Sequence, residues 1–278
     1  VMGFFARLRE RIAATDSVVC VGLDPHPNRL PGAVAEADLP RWAFNRRVID
    51  ATHTHAAAYK PNVAFYEDTD GWRALTETVA YAHGKGVPVV LDAKRGDVGS
   101  TARQYARLLD EADAITVNPY LGRDSLEPFL QRDDKGVFVL CRTSNPGGAD
   151  LQDCTLESGE AVYERVAALA DLWNTNGNVG LVVGATAPDE LETVRGLVPD
   201  LPFLVPGVGA QGGDAAAAAE FGLVDGVGLV NSTRSIIFAG EESVGAAGDD
   251  VSAAVADQYF AAAGDAAKQL KRRLATAA

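Results

Sequence analysis

The chain has 278 residues, 47% of them hydrophobic and 23% charged, with a mean hydropathy near zero (-0.01). This balance describes a folded protein long enough for one large core; it excludes a disordered chain, and no apolar run approaches the length of a bilayer span. A net charge of -13 and a pI near 4.7 argue against nucleic acid as a partner, because its phosphates would be repelled.

Met2-Gly3-Phe4-Phe5-Ala6-Arg7 passes straight into a helical pattern without a signal-peptide core, so the expected compartment is the cytoplasm. Phe5, Leu8 and Ile12 lie at helical spacing and predict an opening helix over Phe4 to Ala14. Ser17 to Gly22 reads as the first buried strand, stopped by Pro25 and Pro27. Trp42 to Thr52 is helical in pattern and leads into the apolar run Ala56 to Asn62. A helix over Trp72 to His83 stops at Gly84 and Gly86, and a strand over Val87 to Leu91 follows. Thr101 to Ala112 reads as a helix with Thr101 as N-cap and Gln104 reaching back in a capping box.

The alternation continues. Strands are predicted at Ala114 to Val117, Val137 to Cys141, Val179 to Val183, Phe203 to Val205 and Gly226 to Val230. The helices between and after them cover Asp124 to Leu130, Glu160 to Trp173, Pro188 to Leu197, Asp214 to Phe221 and part of Val251 to Leu274. About eight continuously apolar strands, each followed by a helix, imply a parallel sheet covered on both faces. Their number and the chain length predict an α/β fold, a single (β/α)8 TIM barrel forming one domain over 1–278. An open doubly wound sheet is the alternative. Arg29 to Ala37 and Gly240 to Asp250 read as surface insertions.

Three charges, Asp92, Lys94 and Asp97, follow the central strand in Leu91-Asp92-Ala93-Lys94-Arg95-Gly96-Asp97. Side chains alternate across a strand, so Asp92 and Lys94 point the same way if the strand persists. A lone Asp-x-Lys is better read as a structural ion pair, since buried charges must be paired. Asp97, the two glycines and the polar helix start behind them shift the reading toward a site. A barrel gathers its chemistry at the C-terminal ends of the strands. The polar residues there are Asp24, Lys60, Asp92, Lys94, Asn118, Thr143, Ser144, Asn145, Gln211 and Arg234. Lys60 stands out because the chain has only six lysines, and two of them end core strands.

Loops after the last two strands of such barrels often hold phosphate. Here they read Pro206-Gly207-Val208-Gly209-Ala210-Gln211-Gly212-Gly213 and Asn231-Ser232-Thr233-Arg234. Gly207, Gly209, Gly212 and Gly213 let backbone amides approach an anion, the helix near Asp214 presents its positive end, and Arg234 can grip phosphate oxygens. Gly207 to Gly212 also matches G-x-G-x-x-G by letter, but a dinucleotide fold carries that motif in its first βα unit, so the match is a decoy. His53 and His55 lack a third ligand, His26 reads as a loop residue, and Asn231-Ser232-Thr233 is a glycosylation acceptor only by letter. Cys20, Cys141 and Cys154 have no metal-ligand spacing, so no metal is expected. Sparse lysine and acidic residues throughout resemble proteins of salt-loving organisms.

Asp92-x-Lys94-x-x-Asp97 followed by Val98-Gly99-x-Thr101 resembles the signature of the orotidine 5'-phosphate decarboxylase family. Asp24, Lys60 before Pro61-Asn62, Thr143-Ser144-Asn145-Pro146, the loop from Pro206 and Arg234 occur in matching order, in the pattern of the longer bacterial and archaeal branch. Val98 stands where isoleucine is more usual. The resemblance implies cofactor-free decarboxylation of orotidine 5'-phosphate to uridine 5'-phosphate in pyrimidine synthesis. It implies that Lys94 meets and protonates the C6 carbanion, with Asp92 near the departing carboxylate and Lys60 and Asp97 completing the charge network. Asp24, Lys60 and Thr101 would contact ribose, Ser144 the pyrimidine edge, and Gln211 and Arg234 the phosphate, beside Pro206. It further implies a homodimer in which Asp97 and Thr101 enter the neighbouring site. Related barrels that act on sugar phosphates with Mg²⁺, a non-catalytic nucleotide binder and a Schiff-base aldolase using Lys94 are the competing readings.

Overall fold

The computed structural model describes residues 2–209, 212–241 and 253–276. Gln211, and residues 242–250 of the second predicted insertion, lie outside the described residues. Among the described residues eight parallel strands alternate with helices: β1 Val19–Leu23, β2 Ala58–Pro61, β3 Val90–Arg95, β4 Ala114–Val117, β5 Gly136–Arg142, β6 Val179–Val183, β7 Phe203–Pro206 and β8 Leu229–Ser232. They pair in the order β2-β1-β8-β7-β6-β5-β4-β3. The two ends of that order meet through parallel bridges between Tyr59 and Val89 and between Asn62 and Asp92. The sheet therefore closes into a barrel, and the open doubly wound alternative is set aside.

The helices are α1 Phe4–Thr15, α2 Gly32–Ala35, α3 Pro40–Thr52, α4 Thr69–Gly84, α5 Gly99–Ala106 and α6 Arg123–Leu130. They continue as α7 Val162–Trp173, α8 Pro188–Leu197, α9 Ala215–Phe221, α10 Arg234–Ile237 and α11 Ala253–Ala275. No helix of the described residues is long and apolar enough to cross a membrane.

Strand alternation divides the core in two. Val19, Val21 and Leu23 of β1 pack outward with residues of the helices, including Val48, Ile49 and Phe260. The intervening Cys20 faces the barrel interior with Ala58, Val90, Ala114, Phe138, Val182, Leu204 and Leu229. Helix α1 closes the bottom of this interior with Phe4 and Leu8, both buried, and the Phe4 ring meets Phe138 edge-on at 6.0 Å. Burying two such side chains contributes roughly 1.5–3 kcal/mol each. The bottom is thus sealed with apolar matter, so the opposite mouth is where polar inner-face residues can meet solvent.

Four predicted features differ. Strand β3 begins only at Val90 but runs on through Arg95, which carries Asp92 and Lys94 inside the strand. Helix α5 starts at Gly99, whose φ of 58° lets the chain turn early; Val98 is the N-cap, Thr101 caps nothing, and the helix gives way to a 3-10 turn over Arg107–Asp110. Strand β8 starts at Leu229, because Asp225 and Gly226 form a left-handed turn closed by Val224 and Val227. The stretch from Arg29 is part of the fold: a 3-10 turn over Pro27–Arg29 and α2 bury Leu30 and Val34.

Candidate active site

Two-residue alternation carries each inner-face row upward to the mouth. Cys20 leads to Gly22 and Asp24, Ala58 to Lys60, Val90 to Asp92, Ala114 to Thr116, and Leu229 to Asn231 and Thr233, while Lys94 joins the same mouth where β3 departs from regular alternation. Asp24, Lys60, Asp92, Lys94, Thr116, Asn231 and Thr233 line one cavity of about 540 Å³, together with Leu140, Ser144, Pro206, Gly207 and Arg234.

At its floor, Lys60 Nζ donates to Asp92 Oδ2 at 2.6 Å, and Lys94 Nζ donates to Asp92 Oδ1 at 2.5 Å. Thr116 Oγ1 also donates to Asp92 Oδ1, at 3.0 Å. Burial alone would push the Asp92 carboxyl up, but Lys60 and Lys94 overcome it and hold the group well below the ordinary carboxylate range. Burial likewise works against the Lys60 ammonium, yet Asp92 and Asp24 raise it above the usual amine value. For Asp24 burial wins: its carboxyl is raised despite the attraction of Lys60. The Lys60 side chain is 5% exposed and that of Lys94 is 48% exposed. Lys60 therefore anchors the network, and Lys94 is the amine that a bound molecule can reach.

The other end of the cavity joins a glycine-containing turn to an arginine. Pro206 and Gly207 leave β7, and Gly207 has φ of 104°, a conformation that disfavours any side chain. Arg234 opens α10 just after Asn231, Ser232 and Thr233. A methyl on Gly22 would overlap the Thr233 hydroxyl, so glycine is what lets this segment close over β1. On the pyrimidine side expected from the resemblance, Ser144 sits in a loop braced by Gln152, which accepts the Thr143 N–H at 2.9 Å, while Thr186 donates to the Ser144 carbonyl at 3.0 Å.

Not every predicted residue is in this mouth. Gly209, Gly212 and Gly213 lie outside the lining, although Gly209 and Gly212 have φ of 100° and 74° and shape the loop. The first amides of α9 are taken by Asp214 Oδ1, from Ala216 and Ala217 at 2.8 and 3.2 Å, so that helix end is capped by its own carboxylate and is not open to phosphate. Asn118 turns away to accept the Tyr120 N–H, because the strand ends at Val117. Asp97 Oδ1 accepts the Val98 N–H at 2.7 Å and, among the described residues, pairs with neither Lys60 nor Lys94. Thr101 is exposed on α5 and also outside the lining.

Sequence reasoning missed several lining residues. Thr116, Leu140, Val182 and Leu204 follow from the inner-face alternation, which would have found them. Arg29 does not: it is drawn to the mouth by Glu241, which it grips at 2.9 and 2.6 Å, and by the Phe238 ring, 3.7 Å below its guanidinium. His26, read as a loop residue, lines the cavity with its Nδ1 accepting the Asn28 N–H at 3.3 Å. Cys20 and Cys141 are buried free thiols, and burial pushes that of Cys20 up to about 12. Among the described residues no three His, Cys, Asp or Glu side chains gather to hold a metal.

Residues 17–248 match the model of a family described as orotidine 5'-phosphate decarboxylase / HUMPS. The chain is 73% identical over 278 residues to orotidine 5'-phosphate decarboxylase of Haloarcula marismortui, covering 98% of this chain and 99% of that protein. It is 72% identical over 279 residues to the enzyme of the same name from Halorubrum lacusprofundi, with coverage of 98% and 99%. Among solved structures it is similar to OMP decarboxylase of Leishmania donovani, with a TM-score of 0.81, 42% identity and 99% of each chain covered.

Proposed function

The chain belongs to the orotidine 5'-phosphate decarboxylase family, and from that membership we propose that its mouth decarboxylates orotidine 5'-phosphate to uridine 5'-phosphate by carbanion stabilisation at Lys94. The observation that carries this reading is the half-exposed Lys94 ammonium, fixed 2.5 Å from Asp92, in the same cavity as Arg234 and Gly207. The substrate phosphate lies at Gly207 and Arg234, the ribose near Asp24 and Lys60, and the ring edge at Ser144. This places C6 beside Lys94 and its carboxylate beside Asp92. The bond from C6 to the carboxylate breaks, its electron pair stays on C6, and carbon dioxide leaves. A proton from Lys94 Nζ then goes to C6, and the neutral amine regains a proton from solvent.

A unit charge about 3 Å from the developing carbanion is worth roughly 5 kcal/mol at an effective dielectric near 20. Because the ammonium is held in place before reaction, this stabilisation needs no rearrangement as charge appears. It is too small to carry the whole reaction. Binding of the distant phosphate supplies more by ordering the mouth and expelling water around the ring.

Asp97 and Thr101 act in this reading from a second copy of the chain. Exposed apolar side chains surround them: Val98 is next to Asp97, and Tyr120 and Leu121 follow Asn118, whose carbonyl lies 2.6 Å from where a Gly96 Cβ would stand. A two-fold dimer covers this surface and brings each Asp97 to the partner's Lys94. Residues 1–278 then form one barrel domain working in the cytoplasm.

The test is to add orotidine 5'-phosphate in the presence of EDTA and follow the ultraviolet change. Turnover that survives chelation and is lost in Lys94→Ala supports the reading; a requirement for Mg²⁺ with sugar-phosphate turnover overturns it. Mixing Lys94→Ala with Asp97→Ala protein tests the shared site. Recovery of activity is expected on subunit exchange, and none with exchange verified removes the shared site.

A further inference from the structure

Resting on the reading of Lys94 and Asp92 as the reacting pair, we infer that Thr116 is a positioning residue whose hydroxyl sets both the backbone of Lys94 and the carboxylate of Asp92. Thr116 is 1% exposed, at the inner face of β4. Its Oγ1 accepts the Lys94 backbone N–H at 2.9 Å and donates to Asp92 Oδ1 at 3.0 Å. One hydroxyl thus uses its acceptor on one member of the pair and its donor on the other.

The need for such a tie is visible in the backbone. Lys94 has φ of 49°, the left-handed region that a lysine rarely adopts. At the same place the ladder between β3 and β4 slips: Leu91 faces Ile115, but Arg95 faces Val117. Four steps on one strand match two on the other, so the regular sheet does not dictate where Lys94 sits. The Thr116 hydroxyl holds the Lys94 N–H at that irregular point. Strained conformations of this kind persist when surrounding bonds over-determine them.

The same hydroxyl shares Asp92 Oδ1 with Lys94 Nζ, while Lys60 holds Oδ2. Without it, the carboxylate can rotate about its remaining ion pairs, and Lys94 loses the bond that fixes its backbone. The ammonium then moves relative to C6, although nothing at the phosphate end changes. Misplacement of about 1 Å in a reacting pair costs on the order of 100-fold in rate.

Thr116→Val, which keeps the shape and removes the hydroxyl, is compared with Thr116→Ser, which keeps the hydroxyl. The proposal expects kcat for orotidine 5'-phosphate to fall at least 10-fold in Thr116→Val, with KM and inhibition by uridine 5'-phosphate within about 3-fold of the wild type, and Thr116→Ser to recover most of the loss. Thr116→Ala serves in the same comparison if the valine protein does not fold. A valine variant with kcat within 2-fold of the wild type overturns the proposal. So does a serine variant as slow as the valine one, or a loss of product affinity as large as the loss of kcat. Wild-type protein without decarboxylase activity would instead defeat the underlying functional reading, so the two failures are distinguishable.

Discussion

Asp92→Asn removes one negative charge from between two ammoniums, and its cost can be worked from the structure. Lys60 Nζ is 2.6 Å from the carboxylate, and its side chain is 5% exposed. At that distance and an effective dielectric near 20, the attraction is roughly 6 kcal/mol, an upper figure. Lys94, half in water, adds little to stability because solvent screens it. Asp24 still attracts Lys60 and retains part of what is lost. Removing one partner of a buried pair costs about 3–5 kcal/mol in general, so with Asp24 in place we expect about 3 kcal/mol. Urea unfolding monitored by circular dichroism reads this as a lower midpoint at unchanged slope. A double-mutant cycle with Lys60→Met should show the double variant more stable than the sum of the singles by about 2 kcal/mol, because both changes break one interaction. Decarboxylation should be lost in all three proteins. Single effects that add within about 0.5 kcal/mol would refute the claim that this pair is a coupled buried unit.

Four further outcomes are expected. The depressed Asp92 carboxyl contributes stability above the ordinary carboxylate pKa and loses it as pH falls through its depressed value; the raised Lys60 amine contributes below the ordinary amine pKa and loses it as pH rises through its raised value. The pair's contribution should therefore be level from about pH 5 to pH 10 and decline outside it. Asp24 has the opposite sign from Asp92, since a raised carboxyl contributes below its unfolded pKa and loses that contribution as pH rises. Asp24→Asn should thus unfold at higher urea than the wild type at pH 7 while binding uridine 5'-phosphate at least 10-fold more weakly; a stability loss at pH 7 would contradict it. Gly22→Ala should push Thr233 and the following Arg234 outward and raise KM at least 10-fold with a smaller change in kcat, and an unchanged KM would deny that this close approach matters. With a net charge of -13, lowering KCl from about 2 M to about 0.1 M lengthens the screening distance and unmasks repulsion among the surface carboxylates. The thermal midpoint should drop, and an unchanged midpoint would contradict the salt-adapted reading of the composition.

What was legible in the sequence had local causes. Continuously apolar strands and their alternation with helices reveal a parallel sheet covered on both faces, which barrels and open doubly wound sheets share; closure was expected from strand number and chain length and is seen in the bridges between β2 and the β3 side. Asp92 and Lys94 could be placed on one face from their spacing alone. The limits of helices were read well where a proline opens one or a glycine ends one, as at Pro188 and Gly84, and less well where a glycine starts one, as at Gly99. Arg29 was beyond reach for a different reason. The carboxylate that holds it, Glu241, is 212 residues away, and no spacing within either segment announces the pair.

Lys94 marks the deeper limit. Spacing predicted its face correctly, but by a regular strand that the protein does not have at that point. The residue is left-handed, the ladder beside it has slipped, and the N–H is held by a side chain from the next strand. Propensity and periodicity describe the average backbone, so they are blind to a position where one strand makes four steps against two. Such departures cost stability and survive only where neighbouring groups enforce them. Here the enforcing group, Thr116, also binds Asp92, the acid between the two amines. The irregular backbone and the charge network are therefore held by the same hydroxyl, a link that the alternation of charges along the chain does not reveal.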